Sequence, residues 1–152
     1  MKNKILKKHI KNKLCRVYQR KAIYTIEEVL SKVDFSDPKE KVRVDFNNNL
    51  IKMSSHRLQL FKTKGVTCAH CGIEGKYFAM EKPPVDKSYH FNLYAVNEKG
   101  EEVLMTKDHI IPRKRGGLDC LDNFQTLCIK CNVNKGSKLE SELVKEPLNE
   151  GV

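Results

Sequence analysis

The sequence predicts a small α+β protein, stapled by a metal and preceded by a basic helical extension. Three observations lead there. Two Cys-x-x-Cys pairs, Cys68/Cys71 and Cys128/Cys131, bracket the second half of the chain. Between them lie three strand-like runs, residues 76–80, 89–96 and 103–110. Ahead of them, residues 3–22 carry Leu6, Ile10, Leu14, Val17 and Tyr18 at helical spacing, with Lys4, Lys7, Lys8 and Lys11 around the turn.

At 152 residues the chain fits one domain, or one domain with an appendage. It is polar, with 39% apolar residues, 32% charged residues and no Trp, so a metal is a reasonable second source of stability. The net charge of +10 is unevenly spread: residues 1–26 hold nine Lys/Arg and no acid, whereas 139–152 hold four Glu against one Lys. Charge gathered at one end suggests a polyanionic partner, against the plainer alternative of a solvated arm. No stretch approaches the roughly 20 apolar residues of a membrane span, and no apolar core follows the first lysines as a secretory signal would need. The expected location is cytoplasmic, where six cysteines argue for metal binding over disulfides.

The elements follow in order. Thr25 and Glu28 have capping-box spacing and start a short helix through Val33, which Asp37-Pro38 ends. Val42, Val44 and Phe46 alternate with Arg43 and Asp45 as a strand; Asn47-Asn48-Asn49 turns the chain, and residues 50–53 return. Ser54-Ser55 cap a helix through Lys64, stopped by Gly65. Pro83-Pro84 separates the first two strand-like runs, and residues 97–100 make a hairpin turn before the third. Residues 124–129 read as a short strand, and a helix begins at Lys130 with Asn132 and Lys135 on one face. The chain thus divides into a basic helical arm (1–26), an extension of helix, short hairpin and helix (27–66), a cysteine-bracketed domain (67–139) and an acidic tail (140–152).

The chemistry concentrates in the last bracket. Four thiolates from two knuckles favour tetrahedral Zn²⁺ with no open position, a structural site. His70, inside the first knuckle, is expected to face solvent; Cys15 and Cys120 have no partner at ligand spacing. Asp108 and His109 end the third strand, so their side chains face opposite ways. One can then bind a metal while the other stands free as a base. Asp108 offers a hard carboxylate suited to Mg²⁺ or Mn²⁺, and the Asn132 carbonyl oxygen a second hard ligand. An imidazole with an unperturbed pKa near ~6.5 accepts a proton at neutral pH. Asn123 lies across the loop from His109, where a carboxamide can bond backbone on both sides and hold the imidazole. Arg113, Lys114 and Arg115, beside Gly116-Gly117, are placed to touch phosphates, with Lys135 as a further candidate contact.

At these residues the chain resembles the HNH endonuclease family, in the subgroup bracketed by two CxxC knuckles. The carrying residues are Cys68-x-x-Cys71, Asp108-His109-Ile110-Ile111-Pro112, Gly116-Gly117, Leu121-Asp122-Asn123 and Cys128-x-x-Cys131-Asn132-x-x-Lys135, about half the chain. The resemblance implies a ββα-metal finger: strand, loop, strand and helix around one catalytic Mg²⁺-type ion. It implies His109 as general base, Asp108 and Asn132 as metal ligands, and Asn123 as the residue that positions the base. Asn132 stands where several relatives have a second His. The resemblance says little of residues 1–66, and the lysine-rich, small chain looks like a phage or mobile-element nuclease.

The reading is a metal-dependent DNA endonuclease that hydrolyses phosphodiester bonds, with zinc as staple and Mg²⁺ or Mn²⁺ at the reacting centre. Its rival is a zinc-stapled DNA-binding module without catalysis. Asp108, His109 and Asn132 together discriminate against the rival, because binding alone needs none of them.

Overall fold

A computed structural model describes residues 18–143. In chain order the elements are β1 (Gln19–Tyr24), α1 (Ile26–Leu30), β2 (Arg43–Phe46), β3 (Asn49–Lys52), α2 (His56–Lys64), β4 (Gly75–Lys82), β5 (His90–Val96), β6 (Glu102–His109), β7 (Phe124–Cys128) and α3 (Ile129–Lys135). Short 3₁₀ turns lie at Pro38–Glu40, Arg113–Arg115, Leu121–Asn123 and Glu140–Glu142. One antiparallel sheet runs β1-β4-β5-β6-β7, and β2 pairs with β3 in a separate hairpin.

Local chemistry explains the small elements. Thr25 and Glu28 close a reciprocal capping box on α1, with Glu28 Oε2 accepting from the Thr25 N–H at 2.7 Å. The β2–β3 hairpin turns on Asn47 and Asn48, both at positive φ (50° and 67°), the pair of conformations a type I′ turn requires and asparagine tolerates. Ser55 caps α2, and Gly65 ends it at φ 94°.

The first strand corrects the sequence reading. Residues 1–17, with Lys4, Lys7, Lys8 and Lys11, lie outside the described residues, so most of the expected basic helix does too. Its expected C-terminal end, however, is strand β1, paired with β4 from Gln19↔Lys82 to Tyr24↔Phe78. The physical reason is a polar network reached only across the sheet. Arg20 donates from Nε to Glu81 Oε2 at 3.0 Å and, through both terminal nitrogens, to Glu102 at 3.1 and 2.9 Å. Glu81 is buried, and its other oxygen accepts from Asn92 at 3.1 Å and from the Tyr94 hydroxyl at 2.6 Å. A buried carboxylate needs such partners. The boundary expected at residue 26 therefore falls inside one sheet.

Phe78, Ala79, Met80 and Glu81 of β4, and Phe91 to Ala95 of β5, are buried without alternation, as expected of central strands covered on both faces. Val29, Phe46, Ile51, Met53, Leu58, Phe61 and Leu127 complete the core. Further along, the β6–β7 pair is held between two helices. Thr126 donates to the Gly65 carbonyl at the end of α2 (2.8 Å), while Asn132 and Lys135 of α3 bond Thr106 and Asp108 on the other face. No helix of the described residues is long and apolar enough to cross a membrane.

This arrangement separates two deletions. Removing residues 1–17 takes away seven of the nine early cations and leaves β1. The folded protein should then bind DNA with a log affinity–log salt slope smaller by several units if those cations meet phosphates. Removing residues 1–26 also strips Arg20 from the buried Glu81. Leaving such a charge unpaired costs ~3–5 kcal/mol, so thermal melts should show a marked fall in Tm for the longer deletion only.

Candidate active site

The four cysteines meet at one end of the β6–β7 pair. Their sulfur atoms all lie within 4.8 Å of one another, and Cys71 Sγ is 3.7 Å from Cys128 Sγ. The first knuckle is tied to β7 by the Ala69 N–H, which donates to the Thr126 carbonyl at 2.9 Å. Cys128 ends β7 and caps α3, its sulfur accepting from the Cys131 N–H at 3.5 Å. Burial works against the Cys68 thiolate, but backbone N–H groups of Cys71 and His70 outweigh it and the thiol falls to about 7. Burial and the neighbouring sulfurs push the Cys131 thiol up. Four converging sulfurs that resist shared ionisation suit a thiophilic divalent ion, which would relieve that repulsion. The cysteines cluster as in a zinc site.

His70 is exposed, and its Nε2 also lies 2.8 and 3.0 Å from the two carboxylate oxygens of Glu140, at the start of the acidic tail. Glu140 also accepts from Gln125 Nε2 at 2.6 Å.

Asp108 and His109 face opposite sides of β6, as strand periodicity demands. On the α3 side, Asp108 is buried. Its Oδ2 is 3.1 Å from Lys135 Nζ and accepts from Gln125 Nε2 at 3.0 Å. Lys135 also donates to the His109 carbonyl at 2.8 Å. Its side chain is fully buried, which corrects its expected place among the phosphate-contacting cations. The cause is the Asp108 carboxylate one strand away: a buried ammonium beside a buried carboxylate is stable only as a pair. Asn132 sits on the same face, where its Nδ2 donates to Thr106 Oγ1 at 2.8 Å. That bond leaves the Asn132 carbonyl oxygen unengaged by Thr106. Both protein contacts of Asp108 fall on Oδ2. The other Asp108 oxygen and the Asn132 carbonyl oxygen are the hard-donor atoms these side chains could offer a cation such as Mg²⁺.

On the α2 side, His109 opens into a cleft of about 610 Å³ lined by Asp37, Pro38, Lys39, His56, Lys107, Arg113 and Asp119. The His109 ring meets Phe124 edge-on, with centroids 4.9 Å apart. Its Nε2 is 2.6 Å from Asp119 Oδ1. That hydrogen bond, with Arg113 and Lys107 nearby, holds the Asp119 carboxyl below its ordinary range. His56, at the start of α2, packs on Phe124 with centroids 5.1 Å apart. Burial and the Lys107 ammonium push the His56 imidazole below its ordinary value. Lys107 reaches over the Phe124 ring, 4.2 Å from its centroid.

The loop between the strands is built around Asn123. Its Oδ1 accepts from the Ile111 N–H at 2.9 Å, and its Nδ2 donates to the Ile111 and Leu118 carbonyls at 3.0 and 2.9 Å. The carboxamide bonds both limbs of the loop, the geometry its position in the sequence suggested. The three cations that follow the Asp-His pair diverge. Arg113 pairs with Asp119 at 3.2 Å, Lys114 is exposed, and Arg115 forms a two-pronged pair with Glu142 at 2.8 and 3.2 Å. Asp119 and His56 escaped the sequence reading. Asp119 is one of two aspartates in a polar loop, and His56 lies about a third of the chain from His109, so spacing marks neither.

Strand, loop, strand and helix follow the order of a ββα finger, with the Asp-His pair at the end of the first strand and the asparagines on loop and helix. Residues 96–148 match the family model described as HNH endonuclease. The DNA annealing helicase and endonuclease ZRANB3 of Mus musculus is similar, 30% identical over 102 residues that cover 57% of this chain and 10% of that protein. The chain therefore spans about a tenth of the length of this relative. No solved structure matches the chain.

Gly117 offers a direct test of the loop. A Cβ there would lie 1.7 Å from the Ile111 carbonyl oxygen and 2.8 Å from Asn123 Nδ2. Gly117→Ala should displace the loop and loosen the Asn123 staple, at about 1–3 kcal/mol, the usual cost of overpacking. Chemical denaturation should register the loss, and amide exchange at Ile111 should quicken.

Proposed function

We propose that the protein is a metal-dependent DNA endonuclease in which His109 is the general base. The observation that carries this reading is an oriented imidazole, bonded to a carboxylate through Nε2, in a cleft rimmed by Lys39, Lys107 and Arg113. A phosphodiester meets cations at that rim, and the remaining imidazole nitrogen, Nδ1, is left to accept a proton from water. The water oxygen bonds to phosphorus as the bond to the leaving oxygen breaks. His109 holds the proton released by the water.

Access supports the same reading. The β5–β6 ladder ends at Leu104, whereas β7 accompanies β6 through Met105–His109. Among the described residues, the β5 side of this last part of β6 has no strand partner. Lys107 lines the His109 cleft and also a smaller hollow of about 300 Å³ that contains Thr106, Asn132, Tyr18 and Arg57. Asp108 and Asn132 would hold a Mg²⁺- or Mn²⁺-type ion, with Lys135 sharing the Asp108 carboxylate. Such an ion, when bound, stabilises negative charge on the phosphate and the leaving oxygen. Cys68, Cys71, Cys128 and Cys131 would hold Zn²⁺ as a structural ion.

The buried Lys135–Asp108 pair favours a second reading, because a resident ammonium already neutralises the carboxylate. On that reading the chain is a zinc-stapled DNA-binding module without catalysis.

Nicking of supercoiled plasmid with and without Mg²⁺ separates the two. His109→Ala should keep the fold by circular dichroism and lose single-turnover cleavage by roughly 10²–10⁴-fold, the usual worth of a positioned base. Asp108→Ala should also lose cleavage, with partial recovery at raised Mg²⁺ or Mn²⁺ that His109→Ala does not share. A folded His109→Ala protein cutting at the wild-type rate would move the assignment to the binding module. For the staple, metal analysis should return one Zn²⁺ per chain. Cys131→Ser should unfold the domain, since structural zinc contributes on the order of 10 kcal/mol to such folds.

A further inference from the structure

We propose that Asp119 is a positioning residue for His109, and that Arg113 couples this positioning to bound phosphate. The proposal rests on the nuclease reading above and adds to it two residues that act on the base.

The geometry begins with the 2.6 Å contact between His109 Nε2 and Asp119 Oδ1. An ionised carboxylate only accepts, so Nε2 carries the hydrogen, and in the neutral ring the lone pair then lies on Nδ1. An imidazole has two torsions to fix. Phe124, edge-on at 4.9 Å, limits the tilt of the ring; the Asp119 bond limits its rotation. Among the other charged and titratable groups facing the same cleft are Lys107 on β6, His56 on α2, Asp37 and Lys39 in the preceding turn, and Arg113. Of the described residues, Asp119 supplies the acceptor on the ring nitrogen.

Asp119 is itself held. Asn123 Nδ2 bonds the carbonyl of Leu118, the residue before it, at 2.9 Å. Gly117 brings the loop against the Ile111 carbonyl more closely than any side chain would permit. The loop asparagine and glycine therefore place Asp119, and Asp119 places the base. Asn123 reaches His109 by this route as well as through the backbone.

The second oxygen of Asp119 leads outward. Oδ2 is 3.2 Å from an Arg113 terminal nitrogen, and the Arg113 side chain is 71% exposed at the rim. A guanidinium has five donors in a planar fork. One edge can stay on Asp119 while another takes phosphate oxygens. Phosphate, Arg113, Asp119 and His109 then form one chain of charge-assisted contacts, which orders the base when substrate is seated. A lysine ammonium in place of Arg113 keeps the charge but lacks the second planar edge.

The test uses the full-length protein and a duplex oligonucleotide that the wild type cuts. Asp119→Ala, Asp119→Glu, Arg113→Lys and His109→Ala are compared by single-turnover cleavage at saturating DNA, by DNA affinity, and by NMR of imidazole N–H protons. Amide spectra establish that each variant is folded. The wild type should show an exchange-protected Nε2–H resonance that vanishes in His109→Ala. Asp119→Ala should lose that resonance and cut about 10–100-fold more slowly, by analogy with the loss on removing an outer partner of a metal-bound histidine. Its DNA affinity should change by less than about twofold, since it removes no phosphate contact. Asp119→Glu should restore part of both the signal and the rate. Arg113→Lys should lower the rate more than the affinity. Retention of the protected resonance in folded Asp119→Ala, or a wild-type rate there, overturns the proposal. Should no variant and no wild type cut DNA, the nuclease reading fails, and the imidazole resonance still decides whether Asp119 holds the ring.

Discussion

Cys128 is the joint on which the site depends. It is the last residue of β7, the cap of α3, and one of four sulfurs within 4.8 Å of one another. A helix of seven residues has little stability of its own, because nucleation costs more than so few hydrogen bonds return. What fixes α3 is its anchorage at Cys128 and Cys131 and its packing on β6. The other half of the cluster, Cys68 and Cys71, is bonded into β7 through Ala69 and Thr126. The position of Asn132, directly after Cys131, follows from this joint, and so does that of Lys135 one turn later.

The strand in front of the joint divides the chemistry by face. Alternation along β6 sends Asp108 to α3 and His109 to the cleft, so the carboxylate proposed as metal ligand and the imidazole proposed as base are neighbours in sequence without touching each other. Their environments differ accordingly. Asp108 is buried against Lys135 and Gln125, and its charge is matched inside the protein. His109 keeps a fifth of its side chain exposed and bonds a carboxylate that is itself at the surface. Removing either member of the buried pair would leave a charge without a partner. Lys135 therefore also has a structural role, locking α3 to the end of β6 through Asp108 and the His109 carbonyl.

How far the sequence could be read depended on whether the decisive partner was close in the chain. The two knuckles, the capped helices, the hairpin at Asn47-Asn48 and the strands around the Asp-His pair are local patterns; they fall within a residue or two of their expected bounds, except that α1 ends at Leu30, three residues before its expected end at Val33. The Asn123 staple was legible for the same reason, since its partners Ile111 and Leu118 lie in its own loop. Three features were not. Residues 19–22 continue an apolar spacing that suits a helix, but their partners Glu81 and Glu102 lie 61 and 82 residues from Arg20 and draw them into a strand. Lys135 looks like an exposed helix cation until β6 brings Asp108 against it. Asp119 and Asp122 are equivalent by composition, and only the folded loop puts the former on His109.

The basic run after the Asp-His pair shows why a cluster of like charges is a poor unit of function. Arg113, Lys114 and Arg115 occupy a single 3₁₀ turn. With three residues per turn, consecutive side chains leave the axis about 120° apart. One cation therefore turns to Asp119 and the rim of the cleft, one to solvent, and one to Glu142 of the tail. Of the three, only Arg113 contacts the carboxylate that bonds His109, as the proposed link from phosphate to base requires. Arg115 is committed to the tail and has to exchange Glu142 for a phosphate before it can contribute to binding, an exchange of two similar contacts with little net gain. The cations that matter at the cleft come instead from three separate elements: Lys39 from the turn after α1, Lys107 from β6 and Arg113 from the loop. Two of these three lie within the family-matched segment and one lies upstream of it, so the rim is completed by a part of the chain that the family match does not cover.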